Sequence, residues 1–190
     1  MKLAKLFRRR DPAANPLYER IVAQARLPDF YLAGGVPDTV QGRYEMIALH
    51  MFLVLRRLKH EGEQGADLAQ DLFDLMFADM DRNLRELGTG DLAVGKRIKA
   101  LAKGFYGRIA AYERGLEAGA GAESLEEALG RNVFANGPVE PHVLARLAAY
   151  LRRAAESLAA QPYREISAGR MVFAAPALGL HPVLDSQTSE

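Results

Sequence analysis

Three groups of residues in this chain of 190 have types and spacings that could do chemistry. The run GDLAVGK, from Gly90 to Lys96, follows the GxxxxGK spelling of a loop that cradles nucleotide phosphates. That chemistry also needs a strand feeding the loop and a Ser or Thr after the lysine to hold magnesium. Here a helical pattern precedes the run and Arg97 follows it, so nucleotide hydrolysis has no support. The aspartates Asp67, Asp71, Asp74, Asp79 and Asp81 invite a metal site or an acid–base pair. No histidine or glutamate stands at ligand spacing on an identifiable second helix, and a solvated acidic face is expected instead. His50 sits alone in the most apolar segment, without a CxxCH motif or an evident second axial ligand, and reads as a hydrogen-bonded core histidine. With no cysteine and no serine in a nucleophile-elbow setting, thiol and hydrolase chemistry have no carrier either. The residues therefore call for no catalytic site, no metal and no cofactor, and the expectation is a protein that is not an enzyme.

The elements that position these residues are helical. Asn15 followed by Pro16 is the pattern of a helix start, and Leu17, Tyr18, Ile21, Val22 and Ala25 carry that helix to Pro28. Asp38 or Thr39 caps a long helix to about His60, with Val40, Tyr44, Ile47, Met51, Leu55 and Leu58 on one stripe and more apolar residues filling the rest. A helix that is apolar nearly all round belongs at the centre of its bundle. The next helix, about Gln64 to Leu87, sets Leu68, Leu72, Met76, Met80, Leu84 and Leu87 against Asp67, Asp71, Asp74 and Asp81 on the opposite side. Asp79 lies beside the apolar stripe, and a basic partner is expected from the helix that follows. Gly88 and Gly90 end this helix, and Asp91 is placed to cap the next. That one turns Val94, Ile98, Leu101, Phe105, Ile109, Tyr112 and Leu116 inward and Lys96, Lys99 and Lys103 outward. Gly104 and Gly107 in its middle suggest a close helix crossing. The stretch from Ser124 to Glu127 spells a capping box for a short helix to about Phe134. Pro141 opens a last long helix to about Ala160, with Val143, Leu147, Tyr150 or Leu151, and Ala154 inward. The segment from Tyr163 to Phe173 reads as non-helical and extended. The expectation is an all-α, single-domain bundle of about six helices with a short extended C-terminal segment. A basic arm occupies residues 1–13, the helical domain 14–174 and a flexible tail 175–190.

Net charge is close to zero, but the charges are blocked. Residues 1–60 carry 11 basic and 5 acidic side chains, residues 61–95 carry 2 and 9, and residues 96–116 carry 6 and 1. Such blocks either satisfy one another within the fold or face separate partners. Lys2, Lys5, Arg8, Arg9 and Arg10, interleaved with Leu3, Leu6 and Phe7, are suited to an anionic membrane surface. No RNA-binding aromatic motif accompanies the charge, so nucleic acid is not expected. The longest uncharged apolar run, Met46 to Leu55, is about half of the ~20 residues that a membrane span needs. The start has the charge of a signal peptide but not its apolar stretch or cleavage site.

Three stretches carry a resemblance: QGRYEMIALHMFLVLRRLK (Gln41 to Lys59), DLFDLMFADMDRNLRELGTGDLAVGKRIK (Asp71 to Lys99) and the weaker continuation FYGR (Phe105 to Arg108). Together they resemble the ubiquinol–cytochrome c chaperone family, over about Tyr18 to Phe173. The resemblance implies an assembly chaperone of the respiratory ubiquinol–cytochrome c reductase complex. Such a protein binds newly made cytochrome b until haem and partner subunits are in place. It further implies a bacterial member acting on the inner, cytoplasmic face of the membrane; mitochondrial members also work with a small helical partner protein, a requirement that the sequence leaves open here. It brings no catalytic residue. The interaction surface is placed on Tyr44, Phe73, Met76, Phe77, Asp79, Met80, Asp81, Arg82, Arg85, Asp91, Gly95 and Lys96, with the methionines and phenylalanines shielding client helices. A general membrane-surface helical adaptor without a specific client is the alternative.

Overall fold

Every residue from Tyr44 to Val54 is buried, which fixes where the centre of the molecule lies. The computed structural model describes residues 10–117 and 123–179. In chain order the helices are α1 (Ala14–Ala25), α2 (Pro28–Leu32), α3 (Val40–Leu58), α4 (Gly62–Glu86), α5 (Asp91–Glu117), α6 (Leu125–Asn132), α7 (Pro141–Ala160) and α8 (Tyr163–Ile166). Six of them have eight residues or more, α2 and α8 are short, and no strand occurs among the described residues. Helix α3 packs against α1, α4, α5 and α7, so its all-round apolar character is used on every side. None of the described helices is long and apolar enough to cross a membrane.

The local signals act with some corrections. Thr39 caps α3 by accepting the N–H of Gly42 at 3.0 Å, while Asp38 pairs with Arg43 at 2.6 Å. Ser124 and Glu127 close the expected capping box on α6. Helix α1, however, begins at Ala14 rather than after Asn15. Asp11 makes the turn instead: its carboxylate accepts the N–H of Ala13 at 2.8 Å and its carbonyl that of Ala14 at 3.0 Å. Pro16 then falls in the first turn, where a missing N–H costs nothing. Asp91 does not cap α5 but is its first residue, and the carbonyl of Gly90 accepts the first helical N–H groups. The stretch expected to be non-helical from Tyr163 starts with the short helix α8, with Pro162 as its N-cap residue.

Gly104 and Gly107 mark no helix crossing. A Cβ at Gly104 would meet the guanidinium of Arg108, and one at Gly107 would meet nothing within 4 Å. The close approach is at Gly115, where a Cβ would lie 2.7 Å from the Cα of Leu125. Beyond α8 the chain runs irregularly along the bundle. Gln161 binds Val172 through both backbone groups, Gln24 donates to the carbonyl of Ala174, and Arg153 donates to that of Pro176. Packing continues to Leu178, past the boundary expected at 174. Residues 180–190 of the expected tail lie outside the described residues, as do Lys2, Lys5, Arg8 and Arg9 of the arm.

Candidate interaction surface

The hairpin of α4 and α5 carries most of the residues singled out by sequence, and its charges are arranged in pairs. On α4, Asp79 is held by Arg82 one turn on and accepts the hydroxyl of Tyr18 from α1 at 3.0 Å. The expected partner from α5 is therefore replaced by one on each of two other sides: α1 and α4 itself. Burial, and the carboxylate of Asp79 beside it, push the Tyr18 hydroxyl well above the ordinary tyrosine range. Arg85 bridges Asp81 at 2.6 Å and also binds Asp91, tying the end of α4 to the start of α5 across the Gly88-to-Gly90 turn. The other aspartates part company as well. Asp71 is buried and accepts the N–H of Asp11 at 2.8 Å, so it leaves the solvated face assigned to it. Asp74 accepts from Gln70. The GDLAVGK run is wound into the first turns of α5, and Gly95 and Lys96 are exposed on it.

The apolar residues divide differently from expectation. Met76 is wholly buried and Phe77 nearly so, and Tyr44 is only 5% exposed. These three belong to the core: Met76 and Phe77 are buried on α4, and Tyr44, on α3, lies against α5. Met80 is partly buried. Phe73 remains at the surface edge of an aromatic cluster, with ring centroids 4.6 Å from Phe77, 5.7 Å from Tyr106 and 6.0 Å from Phe105. Tyr106 is 61% exposed. Together Phe73 and Tyr106 form one wall of a cleft of about 420 Å³, with Phe52, Leu55, Ala69 and Ile109 also lining it. Arg56 and Glu113, 3.2 Å apart, lie in the same cleft. Tyr106 and Ile109 line this cleft but were not among the candidate site residues read from the sequence, although the FYGR stretch includes the first of them.

Beneath this surface lies an ion pair that the sequence reading did not find. Glu45 is fully buried in α3 and takes both nitrogens of the Arg108 fork from α5, with Nε 2.5 Å from Oε2. Gln41 donates to the same carboxylate. The Arg108 guanidinium also stacks over the ring of Tyr44, 5.6 Å from its centre, and the Tyr44 hydroxyl donates to the carbonyl of Leu101 at 3.4 Å. Burial pushes the Tyr44 hydroxyl up to about 12. Nearby, the buried hydroxyl of Tyr112 has no hydrogen-bond partner among the described residues. Tyr44, placed at the interaction surface by sequence, thus joins α3 to α5.

His50 has a structural part. Its Nδ1 is 2.7 Å from the carbonyl of Met46 and its Nε2 2.7 Å from the Tyr150 hydroxyl, which in turn accepts from Gln24. One set of protons satisfies the chain: Nδ1–H donates to Met46, and Tyr150 donates to Nε2. Burial holds the imidazole at a pKa of about 4, so the ring is neutral near pH 7. Phe30 and Phe173 pack edge-on against it.

Comparison with known proteins places this architecture. The family model described as ubiquinol-cytochrome C chaperone matches residues 32–173. The mouse ubiquinol-cytochrome c reductase complex assembly factor 1 is 26% identical over 141 residues, 74% of this chain and 47% of the mouse protein. The Xenopus laevis assembly factor of the same name is 24% identical over 146 residues, 77% of this chain and 72% of that one. The chain thus spans about half the length of the mouse and human relatives it matches. A crystal structure of the Cbp3 homolog from Brucella abortus superposes with a TM-score of 0.78 at 40% identity, covering 92% of this chain and 98% of that one. With the family model spanning α3 to the C-terminal segment, the chain belongs to the ubiquinol-cytochrome C chaperone family.

Proposed function

We propose that this protein is an assembly factor of ubiquinol–cytochrome c reductase that binds newly made cytochrome b and holds it until haem and partner subunits join. The observation that carries the reading is the match of the family model to residues 32–173, which spans most of the helical bundle and the whole α4–α5 hairpin. The protein acts by binding and not by catalysis. Its accessible apolar surface is the cleft edged by Phe73 and Tyr106, suited to an apolar client helix because aromatic rings give large contact area with few side-chain torsions to freeze. Phe73 and Met80 are what remains accessible of the expected phenylalanine–methionine surface. The charged flank, with Asp79, Asp81, Arg82, Arg85, Asp91 and Lys96, orients client and membrane. The protein works peripherally at the inner face of a bacterial cytoplasmic membrane, to which the arm containing Lys2, Lys5, Arg8, Arg9 and Arg10 contributes charge.

Deletion of the gene tests the reading. The host should translate cytochrome b but fail to accumulate it, and should lose assembled reductase while other respiratory complexes persist. A normal level of reductase in the deleted strain would overturn the reading.

A further inference from the structure

One end of the bundle brings together the end of α1, the start of α3, the end of α4 and the start of α5. Three of the large apolar side chains most exposed among the described residues lie here: Val40 at 71%, Leu87 at 64% and Leu92 at 90%. Val40 and Leu87 line a cleft of about 300 Å³ with Met80, and Arg26 and Arg43 lie beside them. Arg26 also lines the neighbouring cleft between α1 and α4, about 750 Å³, together with Arg10 and Arg82. Most acids at this end are engaged internally: Asp38 by Arg43, Asp79 by Tyr18 and Arg82, and Asp81 and Asp91 by Arg85. By contrast, Arg26, Lys96, Lys99 and Lys103 have no ion-pair partner among the described residues.

Helix α5 aligns these features. At 3.6 residues per turn, Leu92, Lys96, Lys99 and Lys103 fall within an arc of about 60°. That arc is opposite Val94, Ile98, Leu101 and Phe105, which face the core or its margin. Exposed leucines flank the turn, and unpaired cations stand one to three turns behind Leu92. This is the order in which a bilayer presents its acyl boundary and then its phosphates.

We propose that this end of the bundle docks on a bilayer containing anionic phospholipid. Leu87 and Leu92 enter the boundary between headgroups and acyl chains, and Arg26, Lys96 and Lys99 meet lipid phosphates. Charge complementarity selects the anionic surface, and the exposed aliphatic side chains favour lipid over RNA, because leucine adds nothing to the binding of a phosphate backbone or a base edge. The inference rests on the peripheral membrane contact of the assembly reading and adds to the basic arm a second contact on the folded hairpin.

Co-sedimentation of the full chain with vesicles tests it, using phosphatidylcholine alone and phosphatidylcholine mixed with phosphatidylglycerol. Binding should require phosphatidylglycerol and weaken with salt. A basic residue near an anionic surface is worth about fivefold in affinity, so Lys96→Glu/Lys99→Glu should weaken binding at least ~tenfold. Leu87→Ser/Leu92→Ser should weaken it comparably. Both pairs are exposed, and unchanged melting temperatures would show that the fold is kept. A chain lacking residues 2–9 should bind vesicles with the same sensitivity to both double variants. Equal vesicle affinity of the double variants and the parent overturns the proposal. So does tight binding of polyglutamate that competes with vesicles and is indifferent to Leu87→Ser/Leu92→Ser, which would make this an acidic-protein site. Capture of cytochrome b from detergent extracts should be unchanged in Leu87→Ser/Leu92→Ser, neither of which belongs to the proposed client surface. Loss of lipid binding with capture intact separates this proposal from the chaperone reading, and either can fail alone.

Discussion

Glu45 and Arg108 illustrate what a single pair of side chains costs and contributes. Removing one member leaves a buried charge facing the other's empty place, which typically costs about 3–5 kcal/mol, whereas replacing both by apolar groups of similar size is often neutral. Arg108→Met should therefore lower the urea-unfolding free energy by about 3 kcal/mol, and Glu45→Met/Arg108→Met should recover most of the loss; a double variant as unstable as the single one would contradict this. His50 gives a pH signature with a definite sign. Its folded pKa of about 4 lies below the ordinary histidine value of 6.5, so its stabilisation is full above pH 6.5 and is lost as pH falls toward 4. Taken over that interval, the loss attributable to His50 should be about 3 kcal/mol. Subtracting the stability-versus-pH curve of His50→Gln from that of the parent isolates it from the carboxylates. At this scale the sequence was partly legible. A lone histidine in an apolar helix reads as a core residue by its neighbours. The partner of Glu45 stands 63 residues away on another helix, and no local pattern joins them.

Among the elements, helix period and caps were legible because they are local: Thr39, Ser124 with Glu127, and Pro141 act where the pattern put them. What the period could not tell was which apolar face becomes surface. Met76 and Phe77 on α4 are as apolar as Phe73, and only the placement of α3 and α5 separates buried from accessible. The same limit applies to glycines, whose spelling is identical whether they serve a crossing or nothing. Gly115→Ala should destabilise by about 1–3 kcal/mol, because its Cβ meets the backbone of α6, which cannot move aside cheaply. Gly107→Ala should stabilise by about 0.5–1 kcal/mol, since open space surrounds it and helix propensity improves. Thermal or urea unfolding of the two variants checks the pair, and equal effects would contradict the assigned packing.

For the molecule as a whole, the blocked charges of the sequence resolve in two ways at once. The acidic block is largely consumed by internal partners such as Tyr18, Arg82, Arg85 and the N–H of Asp11, which explains how a strongly acidic helix packs against its neighbours. The basic block of α5 splits: Arg108 is buried in the fold, while Lys96, Lys99 and Lys103 remain exposed. Under the proposed function, the accessible aromatic cleft on the hairpin is the place for an apolar client, and under the further proposal the cationic, leucine-bearing end is the place for the membrane. The most direct measurement is a crosslinked pull-down of the tagged protein from its host's membranes, scored for cytochrome b against other abundant membrane proteins. The account predicts strong, selective enrichment of cytochrome b that falls when Phe73 and Tyr106 are both changed to serine. Equal capture of many membrane proteins, or of none, would contradict it.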